Sequence, residues 1–179
     1  NLKSGTVVTG GITDTITGIE TILGVDGQND LFFGDGSSTG HNYDGKTGTD
    51  TLSYNVAGIG AMTVTLSGVG AGKAASNLGT DTFTGFESLQ GSTGATDILT
   101  ASTAYNLDVS GALTGTASIG GALAASFSGI EQFTGSAGSD TLTGNALTAA
   151  SLTAAGGGTL TAGGSTMNFS AFENVTLHG

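Results

Sequence analysis

The 179-residue chain contains no cysteine, proline, tryptophan or arginine, and Lys3, Lys46 and Lys73 are its only lysines. Each absence excludes something. Without cysteine there are no disulfide staples and no thiolate metal sites, a usage compatible with a large bacterial extracellular protein stabilised by other means. Three lysines against ten Asp and four Glu leave a net charge of −11. That charge repels phosphate backbones and anionic headgroups, so neither nucleic acid nor a membrane surface is expected as a partner. No apolar run approaches the ~18 residues of a membrane-spanning helix, and no basic-then-apolar leader opens the chain. A chain that starts at Asn1 rather than Met is expected to be processed or cut from something longer.

What is present is glycine (34 residues) and threonine (30 residues). An interior Gly costs a helix up to ~1 kcal/mol relative to Ala, and β-branched Thr, Val and Ile favour extended chain, so a helical bundle is excluded. Disorder is opposed by a positive mean hydropathy and by Phe, Ile, Leu and Val recurring throughout.

The main signal is internal repetition. Ile16-Thr17-Gly18-Ile19-Glu20 matches Phe83-Thr84-Gly85-Phe86-Glu87 and Phe127-Ser128-Gly129-Ile130-Glu131, and Phe169-Ser170-Ala171-Phe172-Glu173 is a worn fourth copy. The Glu residues are 67, 44 and 42 apart (87−20, 131−87, 173−131), close to three, two and two units of about 21–22 residues. An Asp-x-apolar repeat interlocks with them at Asp14, Asp30, Asp50, Asp81, Asp97 and Asp140. Alternating runs such as Met62-Thr63-Val64-Thr65-Leu66 read as short strands with apolar side chains inward, and Gly68–Gly72 and Gly156–Gly158 read as turns. Strands this short bury enough surface only by stacking. The expectation is therefore an all-β parallel β-helix or β-solenoid, β-roll-like, of roughly eight coils of about 21–22 residues, forming a single domain over 1–179 with strands of three to six residues.

The stretch Gly48-Thr49-Asp50-Thr51-Leu52-Ser53-Tyr54, then Thr63-Val64-Thr65-Leu66, Gly79-Thr80-Asp81-Thr82-Phe83-Thr84-Gly85-Phe86-Glu87 and Asp97-Ile98-Leu99, resembles the spacer modules of large secreted bacterial proteins of the RTX (repeats-in-toxin) type. In that family such coils alternate with glycine-aspartate nonapeptides of calcium-binding β-rolls. Gly27-Gln28-Asn29-Asp30-Leu31-Phe32-Phe33-Gly34-Asp35-Gly36 is the most nonapeptide-like stretch, with Gln28 where the pattern has Gly. The resemblance implies an extracellular or bacterial cell-surface location.

Calcium is also argued by the residues themselves. Asp26, Asn29, Asp30, Asp35 and Asp44 fall within 19 residues, and carboxylates beside Gly turns suit a hard cation. The alternative for such residues is to cap turns by bonding backbone, which is the expected role of Asp50, Asp81, Asp97 and Asp140. Glu20, Glu87, Glu131 and Glu173 are expected to be backbone-bonded, because a catalytic carboxylate pair needs two different environments and a repeat supplies the same one. His41, in a polar loop, and His178, at the C-terminal end, have no visible nucleophile or zinc set. No enzymatic activity is expected. The function expected is that of a non-catalytic structural module, a segment or subunit of a longer extracellular assembly, whose partner is itself through tandem repeats or head-to-tail stacking. The alternative is a binding or adhesion module whose Thr/Asp ladders recognise a surface glycan or another regular surface. For ice, the Thr-x-Thr pairs are too irregularly spaced.

Overall fold

The computed structural model describes residues 6–9, 12–15, 18–34, 39–94 and 96–179; for 6–9, 12–15 and Ala154 only the backbone is described. Strands β1 (Thr6–Thr9) and β2 (Ile12–Thr15) pair antiparallel with each other in a separate two-stranded sheet. From there the chain alternates between a ten-stranded and an eight-stranded sheet, and no helix occurs among the described residues. Strands β3 (Thr21–Leu23) and β5 (Asn42–Asp44) lie parallel in the first, β4 (Leu31–Phe33) and β6 (Thr51–Ser53) in the second.

The next three strands, β7 (Thr63–Gly68), β8 (Ala71–Ala75) and β9 (Thr80–Thr84), form an antiparallel meander within the first sheet. The chain overshoots: β7 lands beyond β5, and β8 and β9 fold back to fill the gap, giving the order β5-β9-β8-β7. Then β10 (Ser88–Gln90) joins β6 in the second sheet and β11 (Ile98–Ala101) joins β7 in the first. The same overshoot follows on the opposite sheet with β12 (Tyr105–Gly111), β13 (Thr114–Ile119) and β14 (Ala122–Ser128), β14 resting on β10. After β15 (Gln132–Thr134) and β16 (Thr141–Gly144), a third meander of β17 (Ala149–Ala154), β18 (Gly157–Ala162) and β19 (Ser165–Ser170) returns to the first sheet, and β20 (Asn174–Leu177) pairs with β16.

The expected β-solenoid is thus present, but it makes about four turns, and eight coils of 21–22 residues are not what the chain builds. The repeating unit has five strands and about 43 residues: Gly72, Gly115 and Gly158, equivalent on the middle meander strands, are 43 apart (115−72, 158−115). Three of the five strands double back in one sheet, so a turn has no uniform length and parallel stacking is interrupted by antiparallel pairs. The 67-residue Glu interval is one such unit plus two additional single strands. The three glycines sit opposite Phe83, Phe127 and Phe169, and a Cβ there would come within 2.7, 2.6 and 3.0 Å of the ring, so only a bare backbone admits the aromatic side chain. The corner after each meander has positive φ at Gly85 (70°), Gly129 (66°) and Ala171 (61°), which explains the repeated glycine and the strain left in the worn copy.

Inward positions form one core. Leu52, Leu89 and Phe127 are in register along the second sheet, and Val64, Leu99 and Phe133 along the first. Each fully buried side chain of this size contributes about 1.5–3 kcal/mol. The end layers are less complete, with Ile22, Phe32, Val175 and Leu177 only partly buried.

Candidate functional site

The acidic residues of the repeat meet where strands begin. One oxygen of an acid in each layer accepts a backbone N–H from the adjacent layer. Asp50, Asp81, Asp97 and Asp140 take the N–H groups of Asp30, His41, Met62 and Tyr105 through Oδ1 at 2.7, 2.8, 2.7 and 2.8 Å. Glu87, Glu131 and Glu173 take those of Asp50, Asp97 and Asp140 through Oε2 at 2.8, 2.8 and 2.7 Å. The turn corner breaks the sheet ladder, and an N–H buried there without an acceptor would cost about 1–3 kcal/mol. A carboxylate has lone pairs enough for several donors. The four Asp residues are buried and bridge layers, a wider role than the local turn-capping expected for them. The Glu residues behave as expected at 87, 131 and 173. Glu20 is exposed, and its carbonyl accepts the Asn42 N–H as those of Glu87 and Glu131 accept Ser126 and Asn168.

Sequence reading missed a second partner. Asp97 Oδ2 accepts the Ser92 N–H at 2.6 Å, and Ser92 Oγ reaches both carboxylate oxygens at 2.9 and 3.0 Å. Ser136 makes the same bonds to Asp140. The repeated Gly-Ser of Gly91-Ser92 and Gly135-Ser136 was the available signal. At Asp50 the corresponding residue is Lys46, whose N–H turns to Asp44 Oδ1 instead, and Asp50 Oδ2 is buried without a hydrogen-bond partner among the described residues. Burial holds the Glu131 carboxyl above its ordinary pKa, a shift opposed by the Asp97 backbone bond and added to by the Asp97 charge. Burial, with the Asp140 charge behind it, raises the Tyr105 phenol far above its ordinary value, and the hydroxyl donates to Thr134 O at 2.9 Å.

The residues expected to hold calcium are partly gathered. Asp26, Asn29 and Asp30 lie in the turn between β3 and β4, and Asp44 ends β5; Asp35 lies outside the described residues. Asp26 Oδ1 accepts Thr47 Oγ1 at 3.2 Å, Asn29 Oδ1 accepts the Thr49 N–H at 2.9 Å and Asp30 Oδ2 accepts the Val25 N–H at 2.7 Å. Asp44 pairs with Lys46 Nζ at 2.7 Å, which lowers the carboxyl pKa and raises that of the amine. Among the described residues no three His, Cys, Asp or Glu converge as a metal group.

His41, in the loop that leads into β5, is buried: its N–H bonds Asp81 Oδ1, its Nδ1 lies 3.8 Å from the same oxygen, and Tyr54 OH donates to Asp81 Oδ2 at 2.8 Å. An open groove of about 510 Å³ is lined by Phe33, Gly34, Asn55, Val56 and Ala57, none of them titratable. The Thr-x-Thr pairs do not share a face. Thr51, Thr141 and Thr143 belong to the eight-stranded sheet, and Thr63, Thr65, Thr80, Thr82, Thr159 and Thr161 to the ten-stranded one. A different row does run straight: Thr51, Ser88, Ser126, Thr116, Asp108, Thr143 and Thr176 are consecutive register partners across the eight-stranded sheet. Comparison with protein-family models, curated proteins and solved structures returns no match to this chain.

Proposed function

We propose that this chain is a non-catalytic structural module of a bacterial extracellular surface, matrix or filament protein, similar to RTX-type spacer modules. The observation that carries the reading is the use of the repeated acids. Glu87, Glu131 and Glu173, the residues best suited by type to acid–base chemistry, each accept a corner N–H of the neighbouring layer, and Asp97 and Asp140 are saturated by backbone and serine donors. Such groups stabilise stacking. Calcium in this reading belongs to the Asp26–Asp44 region, where carboxylates of two adjacent layers, Asp26, Asp30 and Asp44, remain at least partly exposed. The test combines heat and protease resistance of the folded chain with turnover assays on a panel of polysaccharides. A resistant chain without turnover is expected, and release of sugar products would overturn the reading.

A second reading, glycan recognition, is favoured by the straight row from Thr51 to Thr176. A glycan array that binds the wild-type chain and not Thr116→Val/Thr143→Val would establish it.

A further inference from the structure

We propose that the corner from Gly45 to Asp50 is a two-position latch: Asp44 holds the Lys46 N–H, and on release that N–H swings to Asp50 Oδ2 and uncouples the corner from the layer before it. The latch is built from this chain's own residues. Only its trigger, a hard cation that takes the Asp44 carboxylate, rests on the calcium reading above.

Four corners share one plan. Gly24, Gly45, Gly91 and Gly135 open them, each donating its N–H to the carbonyl that ends a strand of the adjacent layer. In three of the four, the next N–H closes on the Asp that ends the corner: Val25 on Asp30 Oδ2 at 2.7 Å, Ser92 on Asp97 Oδ2 at 2.6 Å, and Ser136 on Asp140 Oδ2. In the fourth, Lys46 donates to Asp44 Oδ1 at 3.0 Å and has a left-handed φ of 71°. Asp50, which ends this corner, is 0% exposed, and its Oδ2 has no hydrogen-bond partner among the described residues. A buried carboxylate oxygen without a donor and a left-handed residue other than glycine are both unfavourable, so a further contact must hold the corner in this form. Asp44 supplies it twice, through Oδ1 to the Lys46 N–H and through Oδ2 to Lys46 Nζ at 2.7 Å.

Loop length does not force the difference. Gly45-Lys46-Thr47-Gly48-Thr49-Asp50 and Gly135-Ser136-Ala137-Gly138-Ser139-Asp140 have the same length and the same glycines and terminal acid. Yet φ is positive at Lys46 and at Gly48 (155°) and at neither Ser136 nor Gly138. A corner of this length therefore reaches both arrangements. Two residues separate them. Ser136 Oγ reaches both oxygens of Asp140, which a lysine at that place does not imitate, and the residue before the opening glycine is Asp44 here but Leu23, Gln90 or Thr134 in the other corners.

The held form ties two layers together. Thr47 O accepts the Gly27 N–H at 2.6 Å, and Thr47 Oγ1 accepts the same N–H at 2.9 Å and donates to Asp26 Oδ1 at 3.2 Å. Ala137, at the place of Thr47 in the Asp140 corner, has no backbone bond to the layer before it among the described residues. The Lys46 N–H carries one proton and has two acceptors within the corner, so the arrangements exclude one another: on Asp44 it keeps the Thr47–Gly27 tie, and on Asp50 it gives that tie up. A cation that takes both oxygens of Asp44 binds only the released form, which is the differential affinity a switch requires.

Hydrogen exchange of single amides, read by nuclear magnetic resonance on the full chain, tests the latch. Asp44→Ala removes both holds, and Lys46→Ser supplies the hydroxyl that Ser136 uses. Each variant is expected to speed exchange of the Gly27 N–H by about tenfold or more and to slow that of residue 46 by a similar factor. Lys46→Gly keeps the N–H bond to Asp44 and removes the left-handed penalty, so it is expected to retain the wild-type pattern. A corner that merely loosens speeds both amides; parallel changes of that kind, no change in either of the first two variants, or opposed changes in Lys46→Gly as well would overturn the proposal. If Asp44→Ala does not fold, Lys46→Ser decides alone. Millimolar calcium added to the wild type is expected to give the same opposed pair of changes. Opposed changes in the variants with none from calcium would keep the latch and remove calcium as its trigger. A melting temperature raised by calcium, with both amides unmoved in the variants, would keep the calcium reading and overturn the latch.

Discussion

Replacing Asp97 by alanine removes the acceptor of two buried backbone donors, the Met62 N–H at 2.7 Å and the Ser92 N–H at 2.6 Å, and of the Ser92 hydroxyl. The site is closed, since Asp97 is 0% exposed and Met62 2%, so water does not replace the carboxylate without opening the corner. At about 1–3 kcal/mol for each orphaned N–H, the expected loss is about 2–6 kcal/mol, a large share of the ~5–15 kcal/mol that holds a domain folded. Asp50→Ala is the internal comparison. Among the described residues its carboxylate serves one such donor, the Asp30 N–H, and its Oδ2 has no partner to lose, so about 1–3 kcal/mol is expected there. Urea unfolding followed by far-ultraviolet circular dichroism measures both, provided the slope with denaturant is unchanged. An Asp97→Ala chain within about 1 kcal/mol of wild type, or one less affected than Asp50→Ala, would refute the view that these acids hold the corners together.

Four further outcomes are expected. Ala171→Gly places glycine at the φ of 61° that Gly85 and Gly129 occupy in the other copies, and relief of about 1 kcal/mol of left-handed strain, partly offset by unfolded-chain entropy, should raise the melting temperature by a few degrees. Glu131 has a folded-state pKa raised above 4.5, so its charged form is a burden on the fold; as pH falls from neutral through that raised value the burden is lifted, and wild type should gain melting temperature relative to Glu131→Gln between pH 7 and the ordinary Glu range. Asp44 runs the other way, its lowered pKa giving a contribution present above 3.8 and lost as pH falls through the folded value, so Asp44→Asn should flatten the acid limb of the same curve. Millimolar calcium should raise the melting temperature and a chelator lower it, through binding to the folded state at Asp26–Asp44; identical melting in both would leave hydrogen bonding as the role of those side chains.

The class of fold was legible in the sequence because strand periodicity and glycine content are local properties. Met62 to Leu66 alternates inward and outward as its pattern requires, and the Gly-apolar-Glu corners recur at real corners. The backbone-bonding role of Glu87, Glu131 and Glu173 was legible for a related reason: identical residues at identical offsets receive identical surroundings. Turn number was not. Gly68–Gly72 looks like any glycine-rich turn, and nothing in its residues says whether the chain crosses to the other sheet or doubles back; the meander is chosen because β7 has already landed beyond β5 and two strands must fill the gap. Burial of His41 beside Asp81, 40 residues away, was likewise invisible, since it depends on which layers become neighbours. The local partners of two expected calcium residues, Lys46 for Asp44 and the Val25 N–H for Asp30, lie within the same turns and were not singled out by residue type alone. Sequence alone determined strands, corners and repeats, because these follow from each residue's own backbone preferences and the spacing between like residues. Tertiary structure decided the order of layers and the identity of buried polar partners, because each is a relation between segments whose separation along the chain carries no trace of their distance in space.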